Sequence, residues 1–115
     1  MFNKKKQPPI KSLIAQGTRI EGHVLFHDGL RIDGEVDGNV VADESSQSLL
    51  VISETGKVRG SVRVGHVVVS GLIEGPIEAN QLLELHPSAN VSGDVRYRAL
   101  EMHPGAVVDG TLHHE

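Results

Sequence analysis

A chain of 115 residues with no cysteine, no tryptophan and a net charge of -4 is long enough for one domain with a modest core. The missing cysteines exclude a disulfide framework and a thiolate metal site, and they suit the cytosol. No apolar run approaches the roughly 18 residues that span a bilayer, and no signal-peptide apolar segment follows the first lysines.

The charge is unevenly placed. Residues 1–12 carry four lysines and no acid, whereas residues 13–115 carry seven basic and fifteen acidic residues. The chain therefore reads as an acidic body with a basic tail. In that tail Pro8 and Pro9 favour an extended tether. Met1 and Phe2, followed by Lys4, Lys5 and Lys6, suit an anionic membrane surface. Each lysine near such a leaflet contributes ~1 kcal/mol, and burying Met1 and Phe2 adds ~2–4 kcal/mol. One tail would bind marginally, but many on one polymer would bind firmly. A solvated tail is the alternative.

From Ile14 onward the sequence repeats itself. The clearest copy runs from Ile52 through Gly56, Val58 and Gly60 to Val62: an aliphatic residue, polar turn residues, a small residue, then branched-x-Gly-x-branched. Ile14 opens a copy with Thr18, Ile20, Gly22 and Val24, and Leu30 opens the next with Gly34, Val36, Gly38 and Val40. Val69 leads a shortened copy, and Leu85 and Met102 lead the last two. The second glycines stand at 22, 38, 60, 75, 93 and 110, in steps of 16, 22, 15, 18 and 17. The long step holds the polar residues 42–48, an expected inserted loop. A period near 17 is shorter than the ~20–50-residue units of helical-pair and propeller repeats. It fits one turn of a β-solenoid, about three short strands with corners between them.

The alternation supports strands over helices. No window shows helical spacing, and glycine with β-branched residues crowds every repeat. The branched residues of each repeat share one face, and the residues between them are polar or proline throughout. The glycines have two readings: an inward position that lets bulky neighbours meet, or a corner needing positive φ. Pro76 is expected at a corner, since it cannot donate to a ladder. The chain thus reads as all-β, a single-stranded β-helix of about six turns over residues 13–112, with tails at 1–12 and 113–115. Its ends lack an obvious cap, and open strand edges invite pairing with another chain. Self-association is expected through Leu13, Ile14, Ile20 and Val24 at one end. At the other it is expected through Leu100, Met102, Val107, Val108 and Leu112.

These repeats resemble those of the bactofilins. The likeness rests on Ile32-Asp33-Gly34-Glu35-Val36-Asp37-Gly38, Val69-Ser70-Gly71-Leu72-Ile73-Glu74-Gly75 and the run from Leu85 to Val95. Ile14 to Gly22 and Gly105 to Gly110 also match, so about 100 residues are covered. The resemblance implies a right-handed, three-sided β-helix that polymerises without nucleotide. It further implies a bacterial cytoskeletal scaffold on the cytoplasmic membrane that positions peptidoglycan-synthesis or morphogenesis proteins. Met1-Phe2-Asn3-Lys4 resembles the membrane-targeting start of some members. The tails here are short, and Val107-Val108 stands where many members carry aromatic residues in the last turn.

Other chemistries are weaker. His86-Pro87 and His103-Pro104 hold equivalent places in neighbouring repeats, but zinc needs two more ligands. A corner column of turn residues is the preferred reading, and no metal or cofactor is expected. Asp33, Glu35 and Asp37 read as a solvated acidic face rather than a catalytic groove. No helix follows the glycines to complete a phosphate cradle, and the acidic body disfavours nucleic acid. The chain is not expected to be an enzyme. The alternative is a small hexapeptide-type acyltransferase, but the irregular steps break its six-residue spacing.

Overall fold

The computed structural model describes residues 8–43 and 47–115. It is a three-sided β-helix of six turns, with no helix among the described residues. The first turn consists of β1 (Ile10–Ile14), β2 (Arg19–Glu21) and β3 (Val24–Phe26). The second consists of β4 (Gly29–Ile32), β5 (Glu35–Asp37) and β6 (Val40–Ala42). The third begins with β7 (Leu49–Ile52) and β8 (Lys57–Arg59). The long β9 (Val62–Val69) then runs through a corner into the fourth turn, followed by β10 (Leu72–Glu74). In the same way β11 (Ile77–Leu85) links the fourth turn to the fifth, which continues with β12 (Asn90–Ser92) and β13 (Val95–Tyr97). The sixth is β14 (Leu100–Met102), β15 (Val107–Asp109) and β16 (Leu112–His114).

Every strand pairs in parallel with its counterpart one turn away, so equivalent residues stack in columns. On the second face, Ile20, Val36, Val58, Ile73, Val91 and Val108 form one inward column. On the first face, Ile14, Ile32, Ile52, Val69, Leu85 and Met102 form another. The four middle members of both columns are fully buried. Branched side chains suit this interior because each column spaces its residues at the strand repeat of ~4.8 Å, a distance that methyl-bearing side chains bridge by van der Waals contact.

The register corrects one alignment. Ile32, and not Leu30, stands over Ile14 and under Ile52, so the second turn is shorter by two residues at its first corner. Leu30 instead pairs with Ser12 and Leu50. The coil also takes in residues expected to be tail: β1 starts at Ile10, and β16 runs to His114. The Glu115 amide closes that end by donating to the Tyr97 carbonyl at 2.8 Å.

The three corners obey different rules. Between the second and third faces the corner is always a glycine and one further residue, from Gly22-His23 to Gly110-Thr111. These glycines have φ between +135° and +157° and stack on one another, which settles the corner reading of the glycines. A Cβ on Gly60 would lie 2.1 Å from the Gly38 carbonyl oxygen. Beside them, the Asn39 amide donates to His23 Nδ1 at 3.1 Å and the Ser61 amide to Asn39 Oδ1 at 2.9 Å. Pro76 occupies the next place in this column and gives up only that corner donor. Its carbonyl still accepts from Val62 at 2.9 Å. Between the third and first faces the corner holds anything from Gly65 alone to residues 43–48. The expected inserted loop leaves and rejoins the coil at this edge, and its residues 44–46 lie outside the described residues. Buried Ser48 anchors it by accepting from the Gly65 amide at 2.9 Å.

Candidate functional site

The exposed large apolar side chains among the described residues are Ile10, Leu13, Leu25, Met102, Val107 and Leu112. All six lie on the first or last turn. Elsewhere, branched residues at the inward positions are covered by the turns above and below. At the ends one of those neighbours is missing, and the edge strands β1, β2, β3, β14, β15 and β16 each pair on one side only.

At the N-terminal end, Ile20 and Val24 are half-buried at inward positions, while Ile14 is already buried and offers little surface. Leu13 is 57 % exposed and points outward, stacked below Arg31. Leu25, 73 % exposed, points outward on the third face and was not singled out from the sequence. Its signal was available in principle. Its column is polar further along, with Arg63, Glu78, Arg96 and His113, but reading it requires the register.

At the C-terminal end, Leu100, Met102, Val108 and Leu112 occupy inward positions on three faces. Val107 points outward, over Asn90. His114 stands at an inward position over Tyr97, with ring centroids 5.8 Å apart, so an imidazole closes the column that begins at buried Phe26. His114, expected in the tail at 113–115, is thus part of the end surface.

Along the sides, charge is arranged in ladders. Arg19 pairs with Asp37, and Arg59 reaches Glu35, Asp37 and Glu74 at 3.2, 3.3 and 3.2 Å. The Arg19 guanidinium, helped by Arg59, holds the Asp37 carboxyl below the usual carboxylate range. Arg31 and Ser53 do the same for Asp33, and Thr111 does it for Asp94. The expected acidic face is therefore a mixed-charge ladder. On the first face, burial pushes the Glu84 carboxyl up, but hydrogen bonds from His66 and Glu101 outweigh it and leave the group low. His66 sits 2.6 Å from Glu84.

His86 and His103 do stack, with centroids 5.1 Å apart, as the repeat places them. Among the described residues no group of three or more His, Asp or Glu side chains could hold a metal ion. Met1, Phe2, Lys4, Lys5 and Lys6, the expected membrane contact, lie outside the described residues. No helix among the described residues is long and apolar enough to cross a membrane.

The geometry has counterparts among known proteins. The model of the family "Bactofilin: Polymer-forming cytoskeletal" matches residues 12–113. Bactofilin BacP of Myxococcus xanthus is 26 % identical over 85 residues, covering 74 % of this chain and 34 % of BacP. The chain thus spans about a third of that relative's length. Bactofilin BacO of the same organism is 25 % identical over 95 residues, covering 83 % of this chain and 72 % of BacO. Among solved structures, the Thermus thermophilus bactofilin, reconstructed by cryo-EM as double helical filaments, superposes with a TM-score of 0.75. It is 28 % identical, with 85 % of this chain and 93 % of that one covered. With the matched region taking in all but the extremities of the coil, the chain belongs to the bactofilin family of polymer-forming cytoskeletal proteins.

Proposed function

We propose that the chain is a bacterial cytoskeletal scaffold whose coils stack end to end, without nucleotide, into filaments. The observation that carries this reading is the confinement of the large exposed apolar side chains to the first and last turns. Stacking one coil on another covers the inward-facing end residues, Ile20 and Val24 at one end and Leu100, Met102, Val108 and Leu112 at the other, and pairs the open strand edges in one step. The double helical filaments of the Thermus relative support the same reading.

The finer proposal is attachment to the inner face of the cytoplasmic membrane through Met1, Phe2, Lys4, Lys5 and Lys6, with recruitment of cell-wall or cell-shape proteins. The clustered lysines and two terminal apolar residues support it.

Electron microscopy of the purified protein without nucleotide tests the filament. Leu112→Arg and Val108→Asp each place a charge on the C-terminal surface, where stacking would bury it unpaired. Filaments are expected from the parent chain, and only short oligomers from either variant. Full-length filaments in both variants contradict the end-stacking reading.

A further inference from the structure

Histidine is concentrated at one end of the coil: His103, His113 and His114 all lie on the last turn. Two of them stay off the inward columns. His103 stacks on His86 at a corner, and His113 points outward, its Nε2 2.8 Å from the Thr111 hydroxyl. His114 alone takes an inward position, above Tyr97, Ala79 and Val64. Its ring centroid lies 5.8 Å from that of Tyr97, and on a single coil the residue is exposed.

Stacking would enclose this imidazole where no counter-charge stands. The other inward side chains at its own end, Leu100, Met102, Val108 and Leu112, are apolar. Those of the opposite end, Ser12, Ile14, Ile20, Val24 and Phe26, are neutral, so neither end could pair an imidazolium. The acids of the last turn lie elsewhere: Glu101 and Asp109 point outward, and the Glu115 carboxylate is 4.0 Å from the outward Arg96. Arg98, on the corner after Tyr97, has the wrong sign to help.

We propose that His114 makes end-to-end assembly pH-sensitive: the junction accepts a neutral imidazole, and an imidazolium keeps the coils apart. The inference rests on the end-stacking reading. Burial without a partner disfavours the charged form, and an unperturbed imidazole titrates near ~6.5. Assembly is therefore undiminished above that pH and is lost as pH falls through it, at least about tenfold in affinity per pH unit. The coil itself survives this window, because Asp33 and Asp37, held below the usual carboxylate range by Arg31 and Arg19, titrate lower.

Sedimentation of the full chain between about pH 8 and about pH 5 gives the lowest concentration at which filaments pellet. That concentration is expected to stay flat above about pH 7 and to rise at least tenfold between about pH 6 and about pH 5. The unassembled Leu112→Arg chain should keep its melting temperature over the same range. His114→Phe should remain filamentous throughout, since Phe26 already fills an inward position on the same face. His113→Phe should respond as the parent does, and His114→Lys should give only short oligomers even at the alkaline end. A response that survives in His114→Phe belongs to another group, such as His23, whose Nδ1 accepts from the Asn39 amide, and overturns the inference. Loss of the response in His113→Phe, full-length His114→Lys filaments, or acid melting of Leu112→Arg above about pH 5 also overturns it. A flat parent profile sinks the pH dependence and leaves the filament reading intact. If the parent forms no filaments at any pH, the filament reading fails and takes the inference with it.

Discussion

At Gly60 two demands coincide: φ is +154°, and a Cβ would meet the Gly38 carbonyl oxygen at 2.1 Å. Gly17 also has positive φ, at +94°, but nothing lies within 4 Å of its Cβ position. The pair separates strain from crowding. Gly17→Ala should cost about 1 kcal/mol, the lower end for a left-handed residue. Gly60→Ala should cost about 3 kcal/mol, because crowding adds to strain. At ~4–8 °C per kcal/mol the second variant melts more than ten degrees below the parent. Thermal melting in an assembly-blocked background checks this, since polymerisation itself raises apparent stability. Equal losses at the two positions would show that crowding plays no part. The sequence marked Gly60 and its column of glycines through their spacing alone. It left the inward and corner readings open, because both place glycine once per turn and only the backbone angle distinguishes them.

Among the elements, the second face shows how surface charge is spent between stacked strands. Asp37 is held below its ordinary pKa by Arg19 and Arg59, and Asp33 by Arg31. A depressed carboxyl contributes stability that is present above its unfolded value near 4 and is lost as pH falls through the folded value. Melting temperature should therefore hold from neutrality to about pH 5 and fall steeply below about pH 4. Arg59→Ala leaves Glu35, Asp37 and Glu74 facing one another. It should lower the neutral-pH melting temperature at low salt and flatten the acid limb. Because these groups are exposed, the loss should shrink above about 0.5 M salt. A loss independent of salt would sink the ladder account.

The elements also show why most of the coil was legible and part of it was not. Inward branched residues declared themselves by alternation, since every strand obeys the same period of two. The corners did not. Leu30 and Ile32 are both inward-facing aliphatics two residues apart, so only strand pairing decides which one stands over Ile14. The outward direction of Leu13 and Val107 was hidden for the same reason, because an apolar residue beside an inward one gives no sign of its own direction. Ile10, Leu25 and His114 escaped because terminal turns have no neighbour on one side to reveal their columns.

At the scale of the molecule, affinity for a surface is set by how many tails act together. In the proposed attachment the three lysines Lys4, Lys5 and Lys6, at ~1 kcal/mol each, would give only weak binding per chain, whereas a polymer would present many tails at high effective concentration. Deleting residues 1–8 should leave filaments intact and abolish pelleting with anionic liposomes. Leu112→Arg with an intact tail should also pellet poorly, at least tenfold below the parent, because it cannot multiply its contacts. Unchanged pelleting after the deletion would remove the anchor, and strong pelleting of Leu112→Arg would remove the dependence on polymerisation.

The edge between the third and first faces accommodates Gly65 alone in one turn and residues 43–48 in another, while the turns above and below keep their register. Extra chain can thus be spliced in there at no cost to the cross-section. A peptide grafted between Asp43 and Gln47 would recur once per subunit, and a fibre built from such chains would be a ruler carrying its cargo at fixed intervals.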